Sequence, residues 1–257
     1  MSDDLAGAVR VHVTGGSLDA PADAATVTDR DAADVVVAIG ESALLDLARE
    51  GCSTPVLPVE AGTGVRSVSR KRVEPALDSV RDGHTTELEL PVLGVEIDGQ
   101  SLGRALFDVM LVTEQAAHIS EFELETPTER MAQFRADGVV LATAAGTSGY
   151  ARRLDAPVFA PETRAAAVVP VAAFATSLDQ WVVPVPERGP VLQAQIAREE
   201  ADVTLLVDDR DVGRAPPLTP IEAAVVDTLR VYHVPESQSC FGGIEGSPRE
   251  GSPVETS

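Results

Sequence analysis

The sequence predicts an α/β N-terminal domain followed by an all-β C-terminal domain. Three observations favour this division of the 257 residues. Near the N-terminus, continuous apolar runs alternate with helical patterns, whereas beyond residue 83 short alternating runs are separated by glycine turns. Apolar residues make up 44 % of the chain and aromatic residues only 4 %, so both cores must consist mainly of Ala, Val and Leu. We expect the α/β domain over 1–82, the β-rich domain over 83–235, and a disordered tail over 236–257.

The elements of the first domain are read from their periodicity. Residues 9–13 alternate apolar and polar side chains and predict a strand, and residues 34–40 form the apolar run that is typical of a strand buried on both faces. A helical pattern runs from Glu41 to the glycine at position 51. A second buried strand over 55–59 and a short amphipathic helix over 73–80 follow. This strand–helix–strand–helix order predicts a parallel sheet.

The second domain is predicted from short alternating runs bounded by turns such as Asp98-Gly99. A hairpin over 208–213, with a return strand over 221–234, would close the domain, and we expect no chemistry there. The other strands are predicted over 86–90, 93–97, 105–112, 121–125, 138–142, 166–169 and 201–207.

The charge of the chain restricts its partners. The formal net charge is −21, and Lys71 is the only lysine among 20 basic residues. A nucleic acid would be repelled by such a surface. Dispersed carboxylates favour a protein adapted to high salt, and the alternative is an acidic docking surface for a basic partner. The absence of an apolar run of about 20 residues and the acidic start favour a cytoplasmic protein that does not contact a membrane.

Neither cysteines nor histidines suggest a metal site. Cys52 and Cys240 are too few for a disulfide framework, and no cluster of cysteine and histidine has zinc-ligand spacing. The four histidines are scattered along the chain. We therefore predict no protein-bound metal from the sequence.

A turn of glycine and acid follows the first buried strand, at Gly40, Glu41 and Ser42. Because ligands of open α/β sheets bind at the carboxyl ends of the strands, Glu41 is a candidate for chemistry. The alternative is that Glu41 or Ser42 only caps the following helix.

Two glycine-containing loops follow other predicted strands. Residues 55–64 lead into Gly62 and Gly64, which by themselves indicate no more than a turn. Residues 137–150 run from a strand into a loop of small hydroxyl and glycine residues that ends at Tyr150. Such residues let backbone N–H groups approach a ligand, although a simple connecting loop would have the same composition.

Together these segments resemble the NAD kinase family over about residues 35–234. Residues 137–150 resemble its Asp-Gly-hydrophobic-hydrophobic-x-Ser-Thr-Pro-Thr-Gly-Ser-Thr-Ala-Tyr signature, which is the most specific match. Gly40-Glu41 stands at its Gly-Gly-Asp-Gly motif and residues 55–64 at its Pro-x-Leu-Gly-Ile-Asn-x-Gly segment. Thr113-Glu114 is placed at its Asn-Glu motif. Ser177-Leu178 stands at the later Ser-Leu segment.

The resemblance implies a dinucleotide site between an α/β and an all-β domain. NAD and ATP would be the substrates, with Mg²⁺ accompanying ATP or polyphosphate as the phosphoryl donor, and the protein would be a homodimer or homotetramer. Glu41 would be the catalytic base that activates the 2′-hydroxyl of the adenosine ribose. The implied dinucleotide-binding positions are Gly40, Ser42, Gly62, Glu114, Asp137, Thr143, Gly146, Thr147, Ser148 and Tyr150.

Departures from the motifs leave other functions open. Ile39 and Ser42 replace motif glycines, and Glu41 replaces the motif aspartate. These changes favour a non-catalytic relative that binds a dinucleotide and regulates a partner, whereas the retained acidic positions favour an active kinase. A third possibility is a kinase for another hydroxylated ligand, such as a lipid or a sugar, because fold does not determine the substrate.

Overall fold

The computed structural model describes residues 8–18, 25–114, 119–174, 179–198 and 201–242. The segment with Ser177-Leu178 lies outside these ranges, as do residues 243–257 of the predicted tail. Within them the strands form two sheets, and the α-helices are α1 Glu41–Glu50, α2 Val73–Arg81 and α3 Tyr150–Arg153.

The strands are labelled in chain order. The first sheet contains β1 Val9–Thr14, β2 Ala25–Val27, β3 Val35–Ile39, β4 Val56–Val59, β5 Thr86–Ile97, β6 Gln100–Ala105, β8 Ser120–Glu125, β9 Arg130–Ala136, β13 Gly189–Ile196 and β16 Ile221–His233. The second sheet contains β7 Asp108–Thr113, β10 Gly138–Thr143, β11 Ala165–Val171, β12 Trp181–Pro184, β14 Val203–Val207 and β15 Arg210–Arg214.

The N-terminal region is the predicted α/β unit. Strands β2, β1, β3 and β4 lie side by side and pair in parallel. All five residues of β3 are buried because α1 packs in the apolar cluster on one side of the sheet and α2 in a separate cluster on the other. In the described part of the chain no helix is long and apolar enough to cross a bilayer.

The C-terminal region is the predicted all-β unit. All pairs in the second sheet are antiparallel, and its inward side chains share one apolar cluster with strands of the first sheet. Phe134 lies in this cluster and stacks on Trp181, with ring centroids 5.9 Å apart. The two-domain fold class expected from the sequence is therefore confirmed.

Strand β16 connects the two regions. The predicted return strand over 221–234 is present as β16, and it pairs with β5 and β13 in the first sheet, whereas the hairpin strands β14 and β15 pair in the second. Near its end, Val231 also pairs in parallel with Val56 of β4. One sheet thus continues across the predicted boundary at residue 82, and the exact division into 1–82 and 83–235 stays a prediction.

The prediction of disorder from residue 236 is wrong for the first seven residues of the tail. Ser237 forms a bridge with Val68, and the Gln238 N–H donates to the Ser67 carbonyl at 3.0 Å. Cys240 is buried. A segment of polar composition is ordered here because its backbone satisfies donors and acceptors beside β4.

The surface holds many ion pairs between arginine and acidic residues, for example Arg66 with Glu162 at 2.8 Å. Most acidic partners in these pairs are well exposed, and such pairs contribute little stability individually. They also cannot neutralise a chain whose formal net charge is −21.

We expect the melting temperature to rise as potassium chloride is increased from 0.1 M to 2 M. Salt screens the repulsion among surface carboxylates, because the Debye length falls to about 3 Å at 1 M. The expected rise is about 5 °C or more, corresponding to about 2 kcal/mol in a chain of this size. Thermal unfolding followed by circular dichroism would measure it, and a flat or falling melting temperature would contradict it.

Candidate functional site

The candidate site is a cavity of about 450 Å³ between the two sheets. It lies where β3, β4, β10 and β14 end and where β7 begins, which is the edge where ligands bind in open α/β sheets. Its volume is in the range of small-molecule sites. The residues that line it are Glu41, Ala61, Gly62, Thr63, Gly64, Phe107, Asp108, Met110, Ala145, Gly146, Ser148, Gly149, Tyr150, Asp208 and Asp209.

Glu41 reaches the cavity through a tight turn at the end of β3. Gly40 has a φ of 87°, which glycine tolerates far better than other residues, and its N–H donates to the Val59 carbonyl at 2.8 Å. Gly40 is the N-cap residue of α1, and no side chain forms the cap hydrogen bond. The geometry therefore does not support a helix cap as the sole role of Glu41 or Ser42.

Two glycines allow the cavity loops to touch through their backbones. A Cβ on Gly64 would lie 1.9 Å from the Ala145 carbonyl oxygen, and a Cβ on Gly146 would lie 2.0 Å from that of Phe107. Both distances are too short for any side chain. The loops after β4 and β10 and the turn before β7 thus pack together only because these positions are glycine.

The apolar run that predicted one strand over 105–112 is broken at Leu106 and Phe107, so that prediction is wrong. The cause is the Asp208 carboxylate, which accepts hydrogen bonds from the N–H groups of Leu106, Phe107 and Asp108 at 2.8 to 3.0 Å. In a continuous strand these three N–H groups would donate to neighbouring strands. Here the Asp208 carboxylate accepts all three. The resulting turn places Phe107 and Asp108 in the cavity.

Three carboxyl groups of the cavity have raised pKa values. Burial is the largest cause for each of them. The pKa of Asp108 rises to about 7, and the charges of Asp208 and Glu41 add to the effect of burial. Glu41 is still exposed to solvent, and its partial desolvation, followed by the charges of Asp208 and Asp209, raises its pKa. For Asp208, the three backbone hydrogen bonds and Arg49 oppose the rise in pKa that burial causes.

Asp108→Asn should make the protein more stable at pH 8. In the folded state the pKa of Asp108 is about 7, against 3.8 for an unperturbed aspartate. The fold therefore gains stability from protonated Asp108 at low pH and loses it as the pH rises through 7. Asparagine removes this loss, so we expect a gain of about 2 to 4 kcal/mol at pH 8 and little change at pH 4.

Urea unfolding at pH 4, 6 and 8 would measure this effect. Asp98→Asn is the matched control, because Asp98 is exposed in a turn and the same change of charge there should not alter the pH dependence. Equal slopes of stability against pH in the wild type and Asp108→Asn would contradict the prediction.

The structure brings together five of the residues selected from the sequence: Glu41, Gly62, Gly146, Ser148 and Tyr150 all line the cavity. Glu41 and Ser148, which are 107 positions apart in sequence, therefore share one cavity, as expected. Gly40 and Ser42 flank Glu41 without lining the cavity themselves.

Thr143 and Thr147 are buried and hold the loop after β10 from within. The Thr143 hydroxyl donates to the Leu106 carbonyl at 2.7 Å, and the Thr147 hydroxyl donates to that of Ala144 at 2.7 Å. Thr147 also accepts the Phe159 N–H at 2.9 Å. In this conformation their hydroxyls stabilise the loop and do not line the cavity.

Glu114 and Asp137 do not reach the cavity. The Glu114 carboxylate pairs with Arg214 at 2.9 Å and accepts from the Thr204 hydroxyl at 3.2 Å. Asp137 precedes β10, whose other end enters the cavity loop, so about 20 Å of strand separates it from Thr143. Asp108, at the start of β7, lines the cavity. It is therefore the acidic residue of this strand at the site, where the sequence had suggested Glu114.

Sequence reasoning missed Phe107, Asp108, Asp208 and Asp209. The signal for Asp108 was an acid within an apolar run, and the run was read as one continuous strand. Asp208 and Asp209 were assigned to a hairpin turn without chemistry, although two consecutive acids directly after a buried strand were a signal comparable to that of Glu41. The hairpin turn itself is present, between β14 and β15.

The carboxylates of the cavity do not form a ready-made metal cage. No group of three or more histidine, cysteine or acidic side chains within the described ranges is arranged to hold a metal ion. However, Mg²⁺ commonly binds through one or two carboxylates together with substrate phosphates and water. Glu41, Asp108 and Asp208 all line the cavity and carry carboxyl oxygens.

The sequence is similar to known kinases. Residues 106–213 match the family model for the ATP-NAD kinase C-terminal domain. An NAD kinase of Methanosarcina mazei is 26 % identical over 188 residues, which cover 72 % of this chain and 64 % of the relative. An NAD kinase of Chromohalobacter salexigens is 33 % identical over 145 residues, which cover 53 % of this chain and 50 % of that relative. The chain thus spans between half and just under two thirds of the length of these relatives.

Solved structures show the same fold. A yeast NADH kinase in complex with NADH superposes with a TM-score of 0.70 at 16 % identity, covering 89 % of this chain and 84 % of that protein. An NAD kinase from Archaeoglobus fulgidus in complex with ATP gives a TM-score of 0.66 at 15 % identity, and the match covers 88 % of this chain and 94 % of that protein. At these identities the likeness concerns the fold alone.

Proposed function

Because this chain belongs to the NAD kinase family, we propose that it transfers a phosphoryl group from ATP or polyphosphate to the 2′-hydroxyl of the adenosine ribose of NAD, giving NADP. The observation that carries the proposal is the position of Glu41, a carboxylate of raised pKa that shares a cavity with Ser148 and Tyr150. The NADH and ATP bound in the two kinases of the same fold support this choice of substrates.

In the proposed reaction Glu41 accepts the proton of the ribose hydroxyl. The oxygen so activated forms a bond to the terminal phosphorus of the donor, and the bond from that phosphorus to its bridging oxygen breaks. The electron pair of this bond stays on ADP or on the shortened polyphosphate. A raised pKa suits the task, because a general base is most effective when its pKa lies near the working pH.

Asp208 and Asp108 complete the acidic wall of the cavity. Asp208 positions the turn over 106–108 through its three hydrogen bonds, and Asp108 can bind a ribose hydroxyl through its carboxyl group. Mg²⁺, when bound with the donor, would be held by the carboxylates of Asp108 and Asp208, which leaves Glu41 free to act as the base, and it would neutralise phosphate charge. A homo-oligomer and a cytoplasmic location remain predictions from the sequence.

The test is to incubate the purified protein with NAD, Mg²⁺ and either ATP or polyphosphate in molar potassium chloride. NADP is then measured with an NADP-specific dehydrogenase. Formation of NADP in proportion to protein concentration is expected. NAD binding without NADP formation would instead support a non-catalytic relative. Phosphorylation of a sugar or lipid, with NAD left unchanged, would support a different kinase.

A further inference from the structure

Two arginines lie at the edge of the candidate site. Arg152 and Arg153 belong to α3, directly after the cavity residue Tyr150, and both are exposed. They line a second cavity of about 520 Å³ together with Glu41, Ser148, Gly149 and Tyr150. This second cavity therefore adjoins the first and shares Glu41 with it.

Neither arginine pairs with an acidic residue in the part of the chain that the structure describes. Across the described ranges, Arg152 and Arg153 make no ion pair and no side-chain hydrogen bond, whereas arginines elsewhere on the surface do, such as Arg66 with Glu162 and Arg214 with Glu114. In a chain of net charge −21 acidic partners are abundant. The guanidinium groups of these two consecutive residues line one cavity and pair with no described acid, so they are available to an anion.

We infer that Arg152 and Arg153 bind the phosphate chain of the phosphoryl donor. The inference rests on the proposed kinase function and assigns the donor to the second cavity. A guanidinium group donates paired hydrogen bonds that match the oxygens of a phosphate. Some such cation is required, because the carboxylates of Glu41, Asp108 and Asp208 would otherwise repel a polyanionic donor.

The position of Glu41 explains why the donor belongs in the second cavity. Transfer of a phosphoryl group requires the acceptor oxygen and the leaving oxygen to lie on opposite sides of the phosphorus. Glu41 borders both cavities, so an acceptor hydroxyl in the first and a terminal phosphate in the second would meet beside it. The recognised group is the phosphate chain and not the nucleoside, so ATP and inorganic polyphosphate would both bind here.

The test compares the double variant Arg152→Gln/Arg153→Gln with Lys71→Gln/Arg188→Gln. The control removes the same charge from exposed cations that line neither cavity and have no acidic partner within the described ranges. Binding of inorganic tripolyphosphate and of NAD is measured by calorimetry, in potassium chloride at a concentration where circular dichroism shows all three proteins folded. KM values for ATP, polyphosphate and NAD are measured in parallel.

For the Arg152→Gln/Arg153→Gln variant we expect the Kd of tripolyphosphate, and the KM of both donors, to rise about tenfold or more, with NAD binding unchanged. The control variant should behave like the wild type. Equal tripolyphosphate binding by both variants would overturn the inference, as would a loss of NAD affinity alone. If the wild type makes no NADP, the kinase proposal fails, and the tripolyphosphate measurement still decides whether these arginines form a phosphate site.

Discussion

Glu41→Gln is expected to lower the turnover of NADP formation by about a hundredfold or more, because a positioned general base contributes about that much. Glutamine keeps the length and hydrogen-bonding capacity of the side chain but cannot accept the ribose proton. The KM for NAD should change little, since the carboxamide can still hold a hydroxyl. Steady-state kinetics at saturating donor would measure both quantities.

If Glu41 has only a structural role, a different result is expected for Glu41→Gln. If its charge only stabilises the start of α1, glutamine would cost about 0.3 to 1 kcal/mol of stability and leave turnover intact. The matched control is Glu74→Gln, the same substitution at an exposed position in the first turn of α2. Full NADP production by Glu41→Gln would remove this residue from the mechanism.

Asp208→Asn is expected to lower the free energy of unfolding by about 1 to 2 kcal/mol, because a buried donor left unpaired is costly, although removing the buried charge, whose desolvation raises the Asp208 pKa, offsets part of this loss. One Asp208 oxygen accepts the N–H groups of Phe107 and Asp108, and the other accepts that of Leu106. The amide of asparagine has one oxygen, so its NH₂ group would face at least one of these donors.

Urea unfolding at pH 6 is the appropriate measurement, because Asp108, with a pKa of about 7, is then mostly protonated. Removing the Asp208 charge therefore relieves little repulsion between Asp208 and Asp108. Such relief would otherwise hide part of the loss of unfolding free energy. Hydrogen exchange should quicken at the amides of Leu106, Phe107 and Asp108, and Asp98→Asn should change neither quantity. Unaltered exchange at these three amides would show that Asp208 does not hold the turn.

The sequence predicted most clearly the elements whose burial follows from local pattern. The apolar run of β3 was identified to within a residue at each end, because a strand covered by helices on both faces needs apolar side chains at every position. Helix α1 was equally clear, since Gly40 and Gly51 mark the two ends of its amphipathic pattern. Glu41 was found because it lies at the end of such a strand, whereas Gly62, Gly146, Ser148 and Tyr150 were selected because their loops resemble motifs of the NAD kinase family.

Long-range pairing was not predictable in the same way. The apolar content of residues 105–112 is that of one strand, and only the Asp208 carboxylate, 100 residues later, breaks it into β6 and β7. The partner strands of β16 likewise depend on contacts that no local pattern encodes. Glu114 was assigned to the site from its position in the motif order alone. That order does not reveal the turn between β6 and β7, which brings Asp108 to the cavity instead.

By itself, the sequence determined the order of elements from β3 to α2, the strong negative charge and the turn that carries Glu41, because burial, charge and glycine turns are local properties of the residues. The tertiary structure decided which acids share the cavity with Glu41. Asp108 and Asp208 acquire raised pKa values only when the ends of strands from both sheets meet and exclude water from them. The desolvation that alters their chemistry arises from packing between distant segments, so it cannot be read from either segment alone.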